Sequence, residues 1–375
     1  MVTDTPGTWP VPEPEPHRIG MMTGIPHRPM FADHFIDALR FTFADAFESG
    51  LIDRPVELLV RKYNGQPQGP AHRSIEVFRE LVEEQHVLGV AGPFTTDNCL
   101  PILPHVNSLG VPTVTLCGTQ QWSGPAAFNL SNGGMADEPT VIGAWLKSEG
   151  MSRVGILKDA GHIGDEYVSY FRNAAQMNGL AVLLEVGVSP VATQERVTDA
   201  VGLLKDVRPD VVVYLGVGGA VTPKLNPAFE VHAWSPTRIM GTAFVSATVS
   251  PERNKMMDGW FGVDQYDERN TVLTELIDRH EAWSGQRPVP GSPLACGYDV
   301  GRSLALGLAR MPIATPDGLR RGLETIRRLP AANGAPGTIV TFGPEDHRGY
   351  KGADYLIIRR ARGGTTEFVA TAPVA

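Results

Sequence analysis

Short apolar runs alternate with amphipathic stretches along almost the whole chain. One stretch repeats apolar side chains at helical spacing, at Ile75, Phe78 and Leu81, and the run after it stops at Gly92-Pro93. Strands and helices are therefore predicted in strict alternation, an order typical of a parallel sheet with helical crossovers. In the first part, strands are predicted at 18–23, 56–60, 87–91 and 113–116, with helices at 31–49 and around 75–82 and 99–109.

The same pattern starts again after residue 140 and changes character near the end. Helices are predicted at 141–149, 167–177, 197–207, 271–283, 294–310 and 318–329, and strands at 154–157, 182–186, 211–215, 239–241 and 260–263. Three final runs, at 338–342, 355–359 and 367–370, indicate antiparallel strands. The fold class predicted is α/β, with two doubly wound, Rossmann-like lobes in series and a ligand cleft outside the carboxyl ends of their strands.

Length and charge narrow the functional classes. A chain of 375 residues exceeds one typical domain, which agrees with two lobes. The formal net charge of −8 and the scattered basic residues argue against nucleic acid as a partner. No apolar run reaches the ~20 residues of a membrane span, so membrane insertion is not expected. The first 16 residues are rich in proline and glutamate and are predicted to be disordered.

Cysteine usage and the start of the chain bear on cofactors and location. Cys99, Cys117 and Cys296 are an odd number of cysteines without zinc-type spacing, so we expect no metal and no cofactor. A buried apolar role is the first interpretation, and a three-thiolate metal site is the alternative. The start lacks a basic region and an apolar core, so the sequence as written predicts a cytoplasmic protein. An extracytoplasmic or periplasmic location is expected instead if a leader has been removed.

Enzyme motifs are weak. The run Gly216-Val217-Gly218-Gly219-Ala220-Val221 follows a predicted strand and is similar to a dinucleotide fingerprint. Val221 stands where a third small residue is needed, and Thr222-Pro223 is expected to interrupt the following helix. We therefore favour a glycine-rich loop beside a cleft. His280 and Glu281 are expected on a solvated helix face. No catalytic residue is assigned, and the protein is predicted not to be an enzyme.

From Ile19 to about Tyr355 the sequence resembles the type I periplasmic solute-binding proteins, most nearly the leucine/isoleucine/valine-binding family of ABC uptake systems. The resemblance lies in the order and spacing of several short motifs. These are the residues 19–24, 89–96, 110–114, 154–159, 209–214, 298–299 and 347–352. It implies three hinge crossings near Ser131, Asp264 and Thr341. Lobe 1 would then contain 17–131 and 265–340, and lobe 2 would contain 132–264 and 341–372.

The resemblance also implies ligand contacts in the first lobe, where hydroxyl and backbone N–H groups hold a ligand carboxylate. Thr96 and Thr119 match the best contact positions, although Thr96 could instead cap its helix. Phe31, or Met30, falls where the family places an aromatic lid, and core packing is the alternative for Phe31. The first-lobe and wall positions carried over are Phe31, Phe94, Thr95, Thr96, Cys117, Gly118, Thr119 and Tyr298.

The second lobe departs from the family pattern. The turn 240–244 has no acidic residue to pair with a ligand ammonium, and Ile163 stands where a tyrosine often closes the site. Asp264 or Asp267 would supply an acid if the alignment is shifted. The second-lobe positions carried over are Ile163, Gly218, Ala243 and Phe244. Because a buried, unpaired ammonium is costly, the expected ligand bears a carboxylate or an amide but no α-amino group.

Two functions follow from the resemblance. The first is a solute receptor that captures a small organic acid, amide or amino-acid-like ligand by hinge closure and delivers it to an ABC permease. The second is a cytoplasmic sensor of the same fold that signals to a regulatory protein. An enzyme on an α/β scaffold is the third class.

Overall fold

The computed structural model describes residues 14–25 and 29–371. Of the predicted disordered start, residues 1–13 lie outside the described part of the chain. Five strands form the sheet of the first lobe, namely β1 (His17–Thr23), β2 (Val56–Lys62), β3 (Gly89–Ala91), β4 (Thr113–Thr115) and β5 (Ala127–Asn129). Their order is β2-β1-β3-β4-β5, and all neighbours are parallel. This is the parallel sheet that the alternating pattern predicts.

A larger sheet forms the second lobe. The next strands along the chain are β6 (Arg153–Asp159), β7 (Ala181–Val188), β8 (Val211–Leu215), β9 (Thr237–Met240), β10 (Phe261–Asp264), β11 (Leu329–Pro330), β12 (Ile339–Val340), β13 (Ile357–Arg362) and β14 (Thr365–Thr371). The sheet order is β14-β13-β10-β9-β8-β6-β7, and β11 pairs with β12 separately. Only β13 and β14 run antiparallel to their neighbours within the large sheet.

Helices connect the strands and cover the sheets. They are α1 (Pro29–Glu48), α2 (His72–Arg79), α3 (Thr96–Cys99), α4 (Leu103–Leu109), α5 (Asp137–Ser148), α6 (His162–Asn178), α7 (Gln194–Asp206), α8 (Thr222–Val231), α9 (Ala243–Ala247), α10 (Pro251–Met256), α11 (Thr271–Ser284), α12 (Ser292–Arg310) and α13 (Pro316–Leu323). A π-helical turn at Glu80–Glu84 extends α2, and a 3₁₀ turn at Leu100–Ile102 joins α3 to α4. No helix in the described ranges is both long and apolar enough to cross a membrane.

Glycines bring the two longest first-lobe helices, α1 and α12, into close contact. A Cβ atom on Gly297 would lie 2.6 Å from the Ala38 side chain and 2.7 Å from the Phe35 carbonyl oxygen. On Gly301 it would lie 2.0 Å from the Thr42 hydroxyl. These glycines are four residues apart and so share one face of α12. They let two helix backbones approach closely, which fixes α1 beside the first sheet.

Local structure differs from the sequence prediction at several places. Strand β5 was not predicted, because its three residues give too short a signal. Helix α8 begins at Thr222, so the prediction that Thr222-Pro223 interrupts it was wrong. Proline is tolerated in a first helical turn, where its missing N–H would have no partner. The helix predicted to reach residue 329 ends at Leu323, and the chain then enters β11.

Three crossings join the lobes, and side chains tie them together. The Gln265 amide donates to the Ser131 carbonyl oxygen at 3.0 Å and accepts from the Gly133 N–H at 3.1 Å, which couples the first crossing to the second. The third crossing connects β12 to β13. Phe342 packs edge-on against Phe128 of the first lobe at 5.2 Å, and the chain joins the second sheet only in β13.

Candidate functional site

A cavity lies between the lobes, where strands of both sheets end. Ligands of doubly wound folds bind at such carboxyl ends. The first-lobe wall follows β3 and β4 and consists of Phe94, Thr95, Thr96, Leu116 and Gly118, with Ile25 and Phe31 beside it. The second-lobe wall follows β6, β8 and β9 and consists of Ile163, Tyr167, Gly216, Val217, Thr242, Ala243 and Ser246. None of these side chains carries a formal charge.

Thr96 presents the clearest unused hydrogen-bonding group. Thr96 lines the cavity, the residue is only 2% exposed, and its buried Oγ1 has no hydrogen-bond partner among the described residues. The helix-capping alternative does not hold, because the N-cap residue of α3 is Thr95. Thr95 in turn accepts a hydrogen bond from the Asn98 amide at 2.7 Å. A buried hydroxyl without a partner is costly, so this atom favours a polar ligand group in the cavity.

Aromatic rings form the apolar side of the first-lobe wall. Phe94 packs edge-on against Phe31 at 5.3 Å and against Phe35 at 4.9 Å between ring centroids. Phe31 is 5% exposed and lines the cavity, so the wall and core interpretations both describe it. Met30 is exposed. The cavity therefore offers an apolar surface next to the Thr96 hydroxyl.

Three predicted site residues lie in the loop after β4, and each has a different environment. Gly118 lines the cavity, and a Cβ there would lie 2.6 Å from the Gly133 carbonyl oxygen of the first crossing. Thr119 lies outside the lining and donates its hydroxyl hydrogen to the Glu166 carboxylate of α6, at 2.9 and 3.0 Å from the two oxygens. Cys117 is buried behind the wall beside Thr115. Thr119 thus bridges the two lobes across the cleft.

In the second lobe, two predicted residues line the cavity and a third lies just outside it. Ile163 and Ala243 contribute to the wall. Gly218 lies in an adjoining outer chamber, which shares Thr95, Ile163 and Val217 with the cavity. The outer chamber also contains Asp97, whose pKa is raised by burial.

Two predicted wall residues lie in the core instead. Phe244 is fully buried under the second sheet, and its ring fills the space above Gly262. Tyr298 is fully buried behind α1, and its hydroxyl lies 2.8 Å from Nδ1 of His280. His280 itself stacks on Phe41 at 4.6 Å and is 1% exposed, so the prediction of a solvated face was wrong. These aromatic rings fill space in the core. The local sequence pattern does not show whether an aromatic residue faces the core or the cavity.

Sequence reasoning missed a buried carboxylate immediately behind the second-lobe wall. Glu138, in the first turn of α5, accepts hydrogen bonds from the Thr242 N–H at 2.7 Å, the Thr242 hydroxyl at 2.9 Å and the Tyr167 hydroxyl at 2.9 Å. Burial raises its pKa from 4.5 to about 7. A signal was present, because Glu138 stands three and four residues before Val141 and Ile142 on the buried face of α5. The predicted helix began at residue 141 and so excluded it.

The three cysteines do not form a metal site. Within the described ranges, no cluster of three or more His, Cys, Asp or Glu side chains could hold a metal ion. Cys99 and Cys117 lie behind the first-lobe wall, and burial raises the pKa of Cys99 well above its ordinary value. Cys296 accepts a hydrogen bond from the Asn333 amide at 3.2 Å on α12. The three-thiolate alternative therefore has no support in this structure.

Solved structures share this architecture. A substrate-binding protein of an ABC transporter from Desulfitobacterium hafniense in complex with Leu superposes with a TM-score of 0.78 at 14% identity, over 95% of this chain and all of that one. A possible leucine/isoleucine/valine-binding protein from Rhodopirellula baltica gives 0.79 at 16% identity, over 95% and 96%. A solute-binding protein from R. palustris in complex with benzoate gives 0.78 at 14% identity, over 96% of both chains. No curated protein matches the sequence.

The two lobes, the parallel sheets and the cleft at their carboxyl ends define the type I periplasmic binding protein fold. The family model of the periplasmic binding proteins matches residues 20–363, nearly the whole chain. The chain therefore belongs to the periplasmic binding protein family, as the sequence motifs predicted.

Proposed function

We propose that this protein captures a small organic ligand bearing a carboxylate or an amide by closing its lobes, and delivers it to an ABC permease. The observation that carries the proposal is that Thr96 lines the cavity and that its buried hydroxyl has no hydrogen-bond partner in the described part of the chain. A carboxylate or amide oxygen at this point would accept its hydrogen atom, while the Phe31 and Phe94 rings would cover an apolar body. The proposal assigns no chemical step to the cavity.

We further propose that the ligand has no α-amino group, because of where the carboxylates around the cavity lie. Glu138 lies behind the second-lobe wall, but it is fully buried behind Thr242 and already accepts three hydrogen bonds. Asp264 accepts the Gln265 N–H at 2.6 Å, and Asp267 pairs with Arg269 at 2.6 Å. Neither of these two lines the cavity. Among the described residues, no carboxylate lines the cavity, so a ligand ammonium inside it would have no direct carboxylate partner, which is unfavourable in a closed cleft.

A thermal-shift screen against aliphatic and aromatic carboxylates, their amides and free amino acids tests the ligand class. A ligand at ~100 times its Kd should stabilise the protein by ~2.7 kcal/mol. Calorimetry on T96V should then show a loss of about tenfold or more in affinity, since one hydrogen bond to a charged group contributes ~1.5–3 kcal/mol. The T96S variant keeps the hydroxyl and is the matched control. Equal affinity of T96V and wild type, or shifts confined to amino acids, would contradict the proposal.

Lobe closure gives a second test, because Glu166 contacts the other lobe. Its carboxylate accepts from the Thr119 hydroxyl and, at 3.2 Å, from the Gln120 N–H. If these bonds form only on closure, E166A should weaken binding of the ligand found in the screen by about tenfold, mainly through faster dissociation. Stopped-flow kinetics measures this. E185A, which removes an exposed ion pair with Arg172 on the same lobe, is the control. Unchanged dissociation in E166A would show that Thr119 and Glu166 do not hold the closed state.

A further inference from the structure

We infer that the second-lobe wall is a hydrogen-bond acceptor surface, organised by Glu138 through Thr242 and Tyr167, which selects ligands with a neutral O–H or N–H donor. The inference rests on the proposed function and names the ligand class more narrowly. A hydroxy acid or a primary amide would fit, whereas a plain carboxylic acid would satisfy only the first-lobe wall. Glu138 is a positioning residue here, since it acts on the ligand through two hydroxyl groups.

The directions of the hydrogen bonds carry the argument. A hydroxyl group has one hydrogen atom to donate and two lone pairs to accept with. Thr242 and Tyr167 each donate that hydrogen atom to Oε1 of Glu138, at 2.9 Å in both cases. Their remaining capacity is to accept, and both residues line the cavity. A ligand group that donates would be matched there, and a group that only accepts would be left unpaired.

The carboxylate is built into a tight space, which fixes this arrangement. A Cβ atom on Gly133 would lie 2.0 Å from Oε1 of Glu138, and one on Gly241 would lie 2.3 Å from Oε2. Both positions therefore have to be glycine or to move if the carboxylate stays in place. Oε2 accepts the Thr242 N–H at 2.7 Å, so the carboxylate cannot rotate away from the two hydroxyls without losing that bond. The wall polarity is thus set by one side chain.

Charge near Glu138 is one-sided. Asp137 on the same helix raises its pKa further, and Tyr167 and Thr242 face it from α6 and the loop after β9. Tyr355 lies close by and donates to Asp137 at 2.7 Å. Within the described ranges no cationic side chain forms an ion pair with Glu138. When Glu138 binds a proton, its carboxyl can donate to one hydroxyl, whose own hydrogen atom can then turn towards the cavity. The preference for donors should therefore be stronger at pH 8 than at pH 6.

The test compares three probes of one carbon skeleton by calorimetry at pH 8, namely 4-methylpentanoate, 2-hydroxy-4-methylpentanoate and 4-methylpentanamide. The hydroxy acid or the amide should bind wild type at least tenfold more tightly than the plain acid. In E138Q the amide nitrogen donates to one of the hydroxyls, so this preference should fall to about twofold or less. T242V removes one acceptor and should reduce the preference, whereas T242S keeps it. If E138Q fails to fold, the comparison of T242V with T242S still tests the inference.

Each outcome bears on one proposal. Equal, measurable affinity of wild type for all three probes overturns the inference and leaves the proposed function intact. A preference for donors that is the same in E138Q and T242V as in wild type also overturns the inference. Tighter binding of L-leucine than of the hydroxy acid overturns the selection of neutral donors and, with it, the exclusion of an ammonium. If no acid, amide or amino acid from the screen binds, the proposed function is overturned, and the inference with it.

Discussion

The stability of E138Q relative to wild type is expected to rise by about 3 kcal/mol between pH 4.5 and pH 8. Burial raises the pKa of Glu138 from 4.5 to about 7. The folded protein therefore holds this proton more tightly than the unfolded chain does. Wild type has the full benefit below pH 4.5 and loses it as the pH rises through 7, whereas glutamine has no such proton to lose.

Urea unfolding at several pH values, followed by tryptophan fluorescence, measures this effect. The two curves of unfolding free energy against pH should diverge between pH 4.5 and pH 7 and run parallel above pH 8. The comparison is a difference between variants, so the titration of other groups cancels to a first approximation. Parallel curves over the whole range would show that Glu138 is not held in its neutral form by burial, and the charge argument for the second-lobe wall would lose its basis.

Replacing Asp299 by alanine is expected to lower the free energy of unfolding by about 3–5 kcal/mol, the usual cost of removing one partner from a buried charged network. Its carboxylate is fully buried in α12 and accepts from the Ala332 N–H at 2.7 Å, the Asn333 N–H at 3.1 Å and the Tyr350 hydroxyl at 2.8 Å. D299A would leave two buried N–H groups without a partner. It would also detach the segment after β11 from α12.

The matched control is Y350F, which removes one of the three donors and should cost about 1 kcal/mol. D299N keeps an acceptor oxygen and should fall between the two. Chemical unfolding at neutral pH gives all three values. A loss in D299A no larger than that in Y350F would show that the two backbone N–H groups find other partners. The role assigned to Asp299, which is to join α12 to the segment after β11, would then be wrong.

The repeated strand and helix pattern was enough to predict most of the fold. Strands such as β8 are short β-branched runs in which every residue is buried, and helices such as α11 have clear apolar spacing and an Asn270 cap. Strands of only two or three residues were too short to be predicted from this pattern, as in β5 and β11. The start of α5 was placed too late because its first turn is polar and contains Pro139, and α8 was not predicted because Pro223 lies in its first turn.

The first-lobe half of the site could be predicted better than the second. Phe94, Thr96 and Gly118 follow strands whose ends the sequence marks clearly, and all three line the cavity. In the second lobe the relevant groups come from helix positions four residues apart, such as Ile163 and Tyr167, and from Glu138, which is distant in sequence from Thr242. Local patterns do not reveal such pairings, because they depend on how α5, α6 and the loop after β9 pack together.

The glycine contact between α1 and α12 has a consequence for the order of events in ligand capture. Phe31 lies in the first turn of α1, and Gly297 and Gly301 hold that helix closely against α12. We therefore expect the first-lobe wall to keep the same shape with and without ligand. An incoming molecule would first bind to the first-lobe wall while the cleft is open. The second lobe would then determine how long the molecule stays bound. Substitutions in the first-lobe wall would then alter the association rate of the ligand, and substitutions in the second lobe would alter its dissociation rate.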